Sequence, residues 1–380
     1  MKLRAPLLLS LIFAATSAQA QLRALPPSIQ PGALLATPLP AAELAQKIDA
    51  IVTSQSPHPF SGAVLITQGD RAVYLRAIGQ QRRVDDRNPQ PDSQFLIGSI
   101  TKQFTAALVM REAQAKRLDV NLPIRQYLPE MADSWTFDVT TAQLLNQTAG
   151  VDAAGKPLKW PAGSRFEYNN YNYELLGAIL ERVTGEKYAD LAASMFRSCK
   201  MKDTLIAPPE AVPTLLSNYP RLVAGYNELN DGTFRPETGR RNLASAPAGS
   251  AMSTLNDLAR WNECLHLRTL VSGNAYDAMT TASPNAVRAN HRWGTLGYGY
   301  GMQLSRKGEM PEISHNGYVG GYISTLIYYP ADRVGIVILE NTAWNSNDLN
   351  RAFYAHDAVR DAVRNYLAGG LFNWRGMLPQ

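Results

Sequence analysis

Strand-like runs lie near the two ends of this chain, and the residues between them read as helix and loop. Gly62 to Thr67 and Ala72 to Ile78 are rich in Val, Leu, Ile and Tyr, and the turn signal Gln68-Gly69-Asp70 between them predicts a β-hairpin. Strand character returns only at Tyr298 to Leu304, Glu312 to Asn316, Tyr322 to Tyr329 and Val334 to Leu339, the last two joined by Pro330-Ala331-Asp332. Such a chain builds one sheet from both of its ends. The pattern assigns residues 41–95 and 290–370 to a discontinuous sheet part and 96–289 to a mainly helical part, and small-molecule sites gather where two such parts meet.

The helical signals are local. Ala41 to Val52 has helical periodicity, and Ile100, Phe104 and Leu108 share one face of a helix that begins near Ser99. Another helix is expected from Asn172 to Val183, with Gly185 as its stop. A third follows Thr254, where Thr254 and Asp257 form a capping-box-like pair and Leu258, Trp261 and Leu265 face inward. A final helix is expected from Asp348 to Leu367, and no internal repeat is visible.

The N-terminus is of another kind. Lys2 and Arg4 precede an apolar run from Ala5 to Ala15 that ends in Ala18-Gln19-Ala20, the pattern of a secretory signal peptide over residues 1–20. The run is shorter than the ~20 residues a membrane span needs. A Pro-rich leader follows within 21–40, and the remainder is expected to be secreted, in a periplasm. Removing Lys2 and Arg4 leaves 35 basic against 32 acidic residues with no basic cluster, which argues against a nucleic-acid partner. No later segment has 18 consecutive apolar residues, so no membrane span is expected after signal removal. Cys199 and Cys264 lie in a chain headed for a compartment that permits disulfides. A bridge and two separate buried thiols both remain open. Neither cysteine has a partner at metal-ligand spacing.

Three segments carry chemistry. In Ser99-Ile100-Thr101-Lys102, a lysine three residues beyond a serine projects from the same helix face, within reach of a hydroxyl that needs a base before it can attack. This spacing occurs by chance roughly once in a chain of such length, and a capping serine with an exposed lysine is the plain alternative. In Tyr168-Asn169-Asn170, a tyrosine among positive charges can act as a base, and an amide two residues on can hold a lysine or a substrate carbonyl. In Ser314-His315-Asn316-Gly317-Tyr318, read as the end of a strand, Gly317 allows close backbone approach to a ligand. There Tyr318 N–H can serve as an oxyanion donor, and His315 can carry a proton or a charge. Each segment alone is explained as readily by an ordinary turn or cap.

Together, in this order, they resemble the boxes Ser-x-x-Lys, Tyr-x-Asn and Lys/His-x-Gly of the serine β-lactamase and penicillin-binding-protein superfamily. The branch is the one that holds class C β-lactamases, D-Ala-D-Ala carboxypeptidases and related esterases. Leu144 to Gly150, Pro247 to Ser250 and Tyr298-Gly299-Tyr300-Gly301 extend the likeness from about Phe60 to Asn341.

The resemblance implies an α+β fold of the β-lactamase/transpeptidase type, an antiparallel sheet flanked by the N- and C-terminal helices plus a helical subdomain. It implies that Ser99 is acylated while Lys102 and Tyr168 exchange the proton. The Tyr168 phenolate would be favoured by Lys102 and a charged His315. Asn170 would orient the lysine, and Ser99 and Tyr318 N–H groups would hold the oxyanion, with His315, Asn316 and Gly317 lining the substrate site. No metal or organic cofactor is implied. The family's usual lysine in the third box is His315 here, with Asn316 where Thr or Ser is common, which favours the peptidase and esterase members over an efficient β-lactamase. Asn146-Gln147 also replaces a frequent Thr-His. The expected activity is a serine hydrolase of D-amino-acid peptides or small esters and amides. A class C-type β-lactamase is the first alternative and a non-catalytic binder of peptidoglycan or a protein partner the second.

Overall fold

The computed structural model describes residues 42–81, 88–290, 292, 294–308 and 310–375; the expected signal peptide and the Pro-rich leader lie outside them. Helix α1, Ala42–Thr53, precedes the hairpin of β1, Gly62–Gln68, and β2, Arg71–Ile78. The helices that matter for the site are α2, Thr101–Gln114, α3, Asn170–Thr184, and α4, Leu255–His266. The chain then returns to strands: β3 Val287–Asn290, β4 Gly294–Tyr298, β5 Gln303–Lys307, β6 Met310–Val319, β7 Tyr322–Tyr329 and β8 Val334–Glu340. The long helix α5, Tyr354–Arg375, closes the described chain.

The eight strands form one sheet in the order β2-β1-β8-β7-β6-β5-β4-β3, every neighbouring pair antiparallel. β8 from the C-terminal part sits against β1, with Val64 opposite Ile338 and Ile66 opposite Ile336. All seven residues of β8 are buried, which a strand covered on both faces requires. Alternation divides them. Val334, Ile336 and Ile338 pack with Leu44, Ile48, Val359 and Val363 of α1 and α5, while Val337 and Leu339 join the core built with α2 and α4. This is the α+β, antiparallel, helix-flanked architecture that the sequence implied.

Several local expectations need correction. Tyr298 to Leu304 is not one strand: β4 ends at Tyr298, the chain reverses with Gly299 N–H donating to Met302 O at 2.9 Å, and β5 begins at Gln303. β3 is an addition to the expected strands: Val287-Arg288-Ala289-Asn290 alternates, but over only four residues. The His315 segment is not a strand end, because β6 runs through it to Val319. α3 starts two residues early, since the Asn169 side chain accepts from Tyr171 N–H and caps it; it ends, as read, at Gly185. Thr254 does cap α4, yet Asp257 does not return the bond: its carboxylate accepts from Asp203 N–H, Thr204 and Arg260. The C-terminal helix is broken at Phe353 after a short turn over Leu349–Ala352. No described helix is long and apolar enough to cross a membrane.

The cysteines pair. Cys199, just past a helix over Tyr188–Ser198, is bridged to Cys264 of α4, and the crosslink spans 65 residues. Loop closure on that scale is worth roughly 4 kcal/mol. Replacing both cysteines by serine is predicted to lower the unfolding free energy by that amount in a denaturant titration, and an intact mass showing two free thiols would remove the basis for it.

Candidate active site

Ser99 is the half-exposed residue at the end of a buried stretch that begins at Ser93. The short strand Phe95–Leu96 leads into one 3-10 turn over Gly98–Ile100, and α2 continues from Thr101. Gly98 has φ +51°, a conformation that a side chain would oppose. The turn is held from several sides: Thr101 Oγ1 donates to Gly98 O at 2.7 Å, Ile97 N–H to Ala251 O at 3.0 Å, and Ser324 Oγ to Ile97 O at 2.8 Å.

Strand β6 lies directly against this turn. A Cβ on Gly317 would fall 2.1 Å from Ile97 O and 2.3 Å from Ser324 Oγ, and one on Gly98 would fall 2.9 Å from Tyr318 N. Gly317 therefore permits the approach of the sheet to the serine turn rather than of a ligand to the strand. The same packing brings the Tyr318 amide beside the residue that precedes Ser99.

Lys102 is 0% exposed, so the plain alternative of a surface lysine is excluded. Its Nζ lies 3.1 Å from Ser99 Oγ and donates to Asn170 Oδ1 and Ala248 O, both at 2.7 Å. Burial disfavours the ammonium form and brings the pKa from its ordinary 10.5 to about 7, with only a small opposing effect from Glu174.

The second segment is held by Gln147. Its Oε1 accepts from Asn169 N–H at 2.9 Å and Asn172 Nδ2 at 2.7 Å, and its carbonyl accepts from Glu167 N–H at 2.9 Å. Gln147 thus fixes the loop that presents Tyr168 and Asn170, while the Asn146 side chain bonds Thr148 and Ser283. Lys102 Nζ lies 4.7 Å from the Tyr168 ring centroid. The Tyr168 ring is partly exposed but its hydroxyl is buried; it is near enough to Ser99 to feel it, yet makes no hydrogen bond of ordinary geometry. Burial raises its pKa well above 10, against smaller lowering effects from Ser99 and Arg288.

His315 is 1% exposed. Its Nδ1 is 2.7 Å from Asn316 O, which can only accept, so Nδ1 carries the hydrogen and Nε2 accepts from Tyr298 Oη at 2.9 Å. Burial first, then Lys102, lowers its pKa to about 3. Both shifts run against the expectation of a charged His315 and of a phenolate stabilised by it: they favour a neutral imidazole and a protonated phenol. Asn316 points to the opposite face of β6, where its Oδ1 accepts from Thr325 Oγ1, itself bonded to His356 of α5.

The structure thus gathers Ser99, Lys102, Tyr168, Asn170, His315, Gly317 and the Tyr318 amide, and turns the Asn316 side chain away. A cavity of about 220 Å³ adjoins Ser99, lined also by Asn170, Gly249, Tyr318 and Arg241. A larger one of about 610 Å³ lies beside the disulfide, among Thr67, Asp70 and Glu263, and touches none of these residues. Sequence reasoning missed Arg288, whose guanidinium sits 5.7 Å from the Tyr168 ring centroid, because the four-residue β3 is too short to stand out from the loops around it. It also missed Tyr298 as the partner of His315, although the Tyr-Gly-Tyr-Gly stretch was noticed. Among the described residues no group of three or more His, Cys, Asp or Glu could hold a metal.

The family model described as Beta-lactamase matches residues 45–360. Protein Flp of Staphylococcus aureus strain MW2 is 25% identical over 332 residues, covering 78% of this chain and 63% of that protein. The chain thus spans less than two thirds of the Flp length. Penicillin-binding protein 4* of Bacillus subtilis strain 168 is 25% identical over 320 residues, 75% of this chain and 68% of that one. Among solved structures, the D-amino acid amidase from Ochrobactrum anthropi SV3 aligns with a TM-score of 0.72 at 20% identity, over 86% of this chain and 100% of the other.

Gly317→Ala separates steric fit from ligand approach. If β6 must touch the serine turn, the variant should lose about 2 kcal/mol in a denaturant titration. Unchanged stability would return Gly317 to a role toward ligand alone.

Proposed function

The chain belongs to the Beta-lactamase family, and on that premise we propose that it is a serine hydrolase forming an acyl-enzyme through Ser99, acting on D-amino-acid peptides or small esters and amides. The observation that carries the reading is the set of contacts around Lys102. A neutral amine has two hydrogens and one lone pair. The two carbonyl acceptors at 2.7 Å take the hydrogens, and the lone pair is left for the Ser99 hydroxyl at 3.1 Å. A lysine with a pKa near 7 populates that form at neutral pH.

In the first step Ser99 Oγ attacks the substrate carbonyl carbon and its proton passes to Lys102 Nζ. The negative charge on the carbonyl oxygen is received by the Ser99 and Tyr318 backbone N–H groups. As the C–N or C–O bond breaks, the protonated Tyr168 phenol donates to the leaving group, and Lys102 returns a proton to the phenolate. Water then attacks the ester carbonyl with the same pair accepting its proton, and Ser99 is regenerated. Asn170 orients Lys102 throughout. His315 acts as a neutral brace on β6, bound to Tyr298 and to Asn316 O.

The names of the B. subtilis penicillin-binding protein and the Ochrobactrum D-amino acid amidase support the substrate class. A neutral third-box residue supports peptide, amide or ester substrates over an efficient class C-type β-lactamase, because it offers no permanent cation to a β-lactam carboxylate. The Ala18-Gln19-Ala20 pattern and the disulfide support secretion to an oxidising compartment.

Two experiments test this. A fluorophosphonate should add one adduct to the intact mass of the wild type and none to Ser99→Ala, and a panel of D-Ala-D-Ala peptides, D-amino acid amides, p-nitrophenyl esters and a chromogenic cephalosporin should be turned over best outside the cephalosporin. No labelling would end the enzyme reading, and fast cephalosporin turnover would make it a β-lactamase. In the second, the rate of Ser99 acylation should rise about tenfold per pH unit below 7, as Lys102 loses its proton, and level off above it. A rate still climbing through pH 9 would transfer the base role to Tyr168.

A further inference from the structure

The wall of the Ser99 cavity has a chemistry that the reaction above does not use. Arg240, Arg241 and Asn242, from the loop that follows the strand Phe234–Pro236, line it, and no Asp or Glu does. The loop is fixed on both sides. Val212 N–H donates to Gly239 O at 3.0 Å, and Arg241 N–H to Glu210 O at 2.9 Å.

Beneath it, Glu237 accepts from Asn227 Nδ2 at 2.7 Å and from Gly239 N–H at 2.6 Å, pressed so closely on the β6–β7 turn that a Cβ on Gly320 would lie 2.2 Å from its Oε2. That carboxylate is already well supplied with donors. It reaches Arg241 only at 3.5 Å, and the Arg241 side chain, 12% exposed, leaves Nε buried without a partner. Arg240 is exposed and pairs with no carboxylate among the described residues. Two arginines, permanently charged and incompletely satisfied, thus line a cavity that Ser99 also lines.

Position within the site fixes which part of a substrate they meet. The leaving group must lie where it can take a proton, on the side of Tyr168 and Lys102. Neither of those residues lines this cavity, whereas Ser99, Gly249 and Tyr318 do. The space therefore receives the part of the substrate that stays on the serine. At about 220 Å³ it is smaller than a typical drug-sized site, which limits that part to a short chain.

Resting on Ser99 as nucleophile, we infer that the enzyme prefers acyl groups that carry a carboxylate a few atoms from the scissile carbonyl, received by Arg240 and Arg241. The preference resides in the Arg240 loop and is independent of the third box, whose histidine is neutral. A guanidinium–carboxylate contact in a partly enclosed site discriminates roughly 10- to 100-fold against a neutral group of equal shape.

The test uses the whole protein and two competitors, glutaryl-4-nitroanilide and its neutral counterpart, glutaramoyl-4-nitroanilide, which differ only in carboxylate against primary amide. Each is titrated against the rate at which a fluorophosphonate labels Ser99, so the result does not depend on either being turned over. The carboxylate is expected to protect at a concentration 10- to 100-fold lower than the amide. That ratio should fall toward one in Arg240→Gln, an exposed position where folding is not at stake, and in the double variant with Arg241→Gln. Equal protection, protection by neither, or a ratio that survives in the double variant overturns the anion preference while leaving Ser99 as the nucleophile. Absence of labelling overturns Ser99 itself, and the two failures are told apart by the labelling control.

Discussion

The burial of one amine organises the site. Moving Lys102 out of water shifts its pKa from 10.5 to about 7, which corresponds to roughly 5 kcal/mol against the ammonium form. The sign follows from the proton balance. Between about pH 7 and 10.5 the unfolded chain holds a proton that the folded one has lost, so this cost is full below 7 and fades as pH rises through that window. The remainder of the fold must offset it at neutral pH. It does so with a helix whose first ten residues, Thr101 to Met110, are all buried, and with acceptors drawn from two distant segments, Asn170 and Ala248 O. Thr105 Oγ1, bonded to Pro247 O at 2.6 Å, ties the same helix to the same Ala246–Gly249 turn one level deeper.

The second constraint is steric. β6 can reach the serine turn only because position 317 has no side chain, and Ser324 on the neighbouring strand, paired with Gly317 in register, supplies the hydrogen bond to Ile97 O. β5 pairs with β6 no further than Ser314, so among the described residues His315 to Val319 have no strand partner on that edge. That stretch of β6 is therefore open where it meets the Ser99 turn. That arrangement needs strands from the C-terminal part and a helix start from the middle, which is why the boxes are so far apart in sequence.

How much of this was legible in the sequence depended on whether a residue's partner was nearby in the chain. The β1–β2 hairpin, the Gly185 stop and the Thr254 cap are local effects and were read correctly. Ser99, Lys102, Tyr168 and His315 came from motif order, and the structure brings them together. What failed needed distance. The Cys199–Cys264 pair depends on two helix ends meeting, and the role of Gln147 depends on a loop twenty residues later folding back onto it. The reversal at Gly299 to Met302 interrupts a run whose composition is that of a continuous strand. The charge of His315 could not be read from residue type, since burial and two fixed partners decide it.

That last point determines how the site handles protons. Two nitrogenous bases, Lys102 and His315, are buried close enough for the first to lower the pKa of the second. Both cannot be cations in so little solvent. The competition goes against His315 because burial first, and Lys102 second, lower its pKa, while the Asn316 carbonyl fixes the hydrogen of the neutral ring on Nδ1 and leaves Nε2 to accept from Tyr298. Lys102, whose pKa lies near 7, contacts the Ser99 hydroxyl. In the proposed reaction one proton moves between Ser99, Lys102 and the Tyr168 hydroxyl, which makes no hydrogen bond of ordinary geometry. A lysine in place of His315 would add a second charge to this pocket and lower the Lys102 pKa further. The neutral histidine leaves that pKa near 7, where a base is most useful at neutral pH.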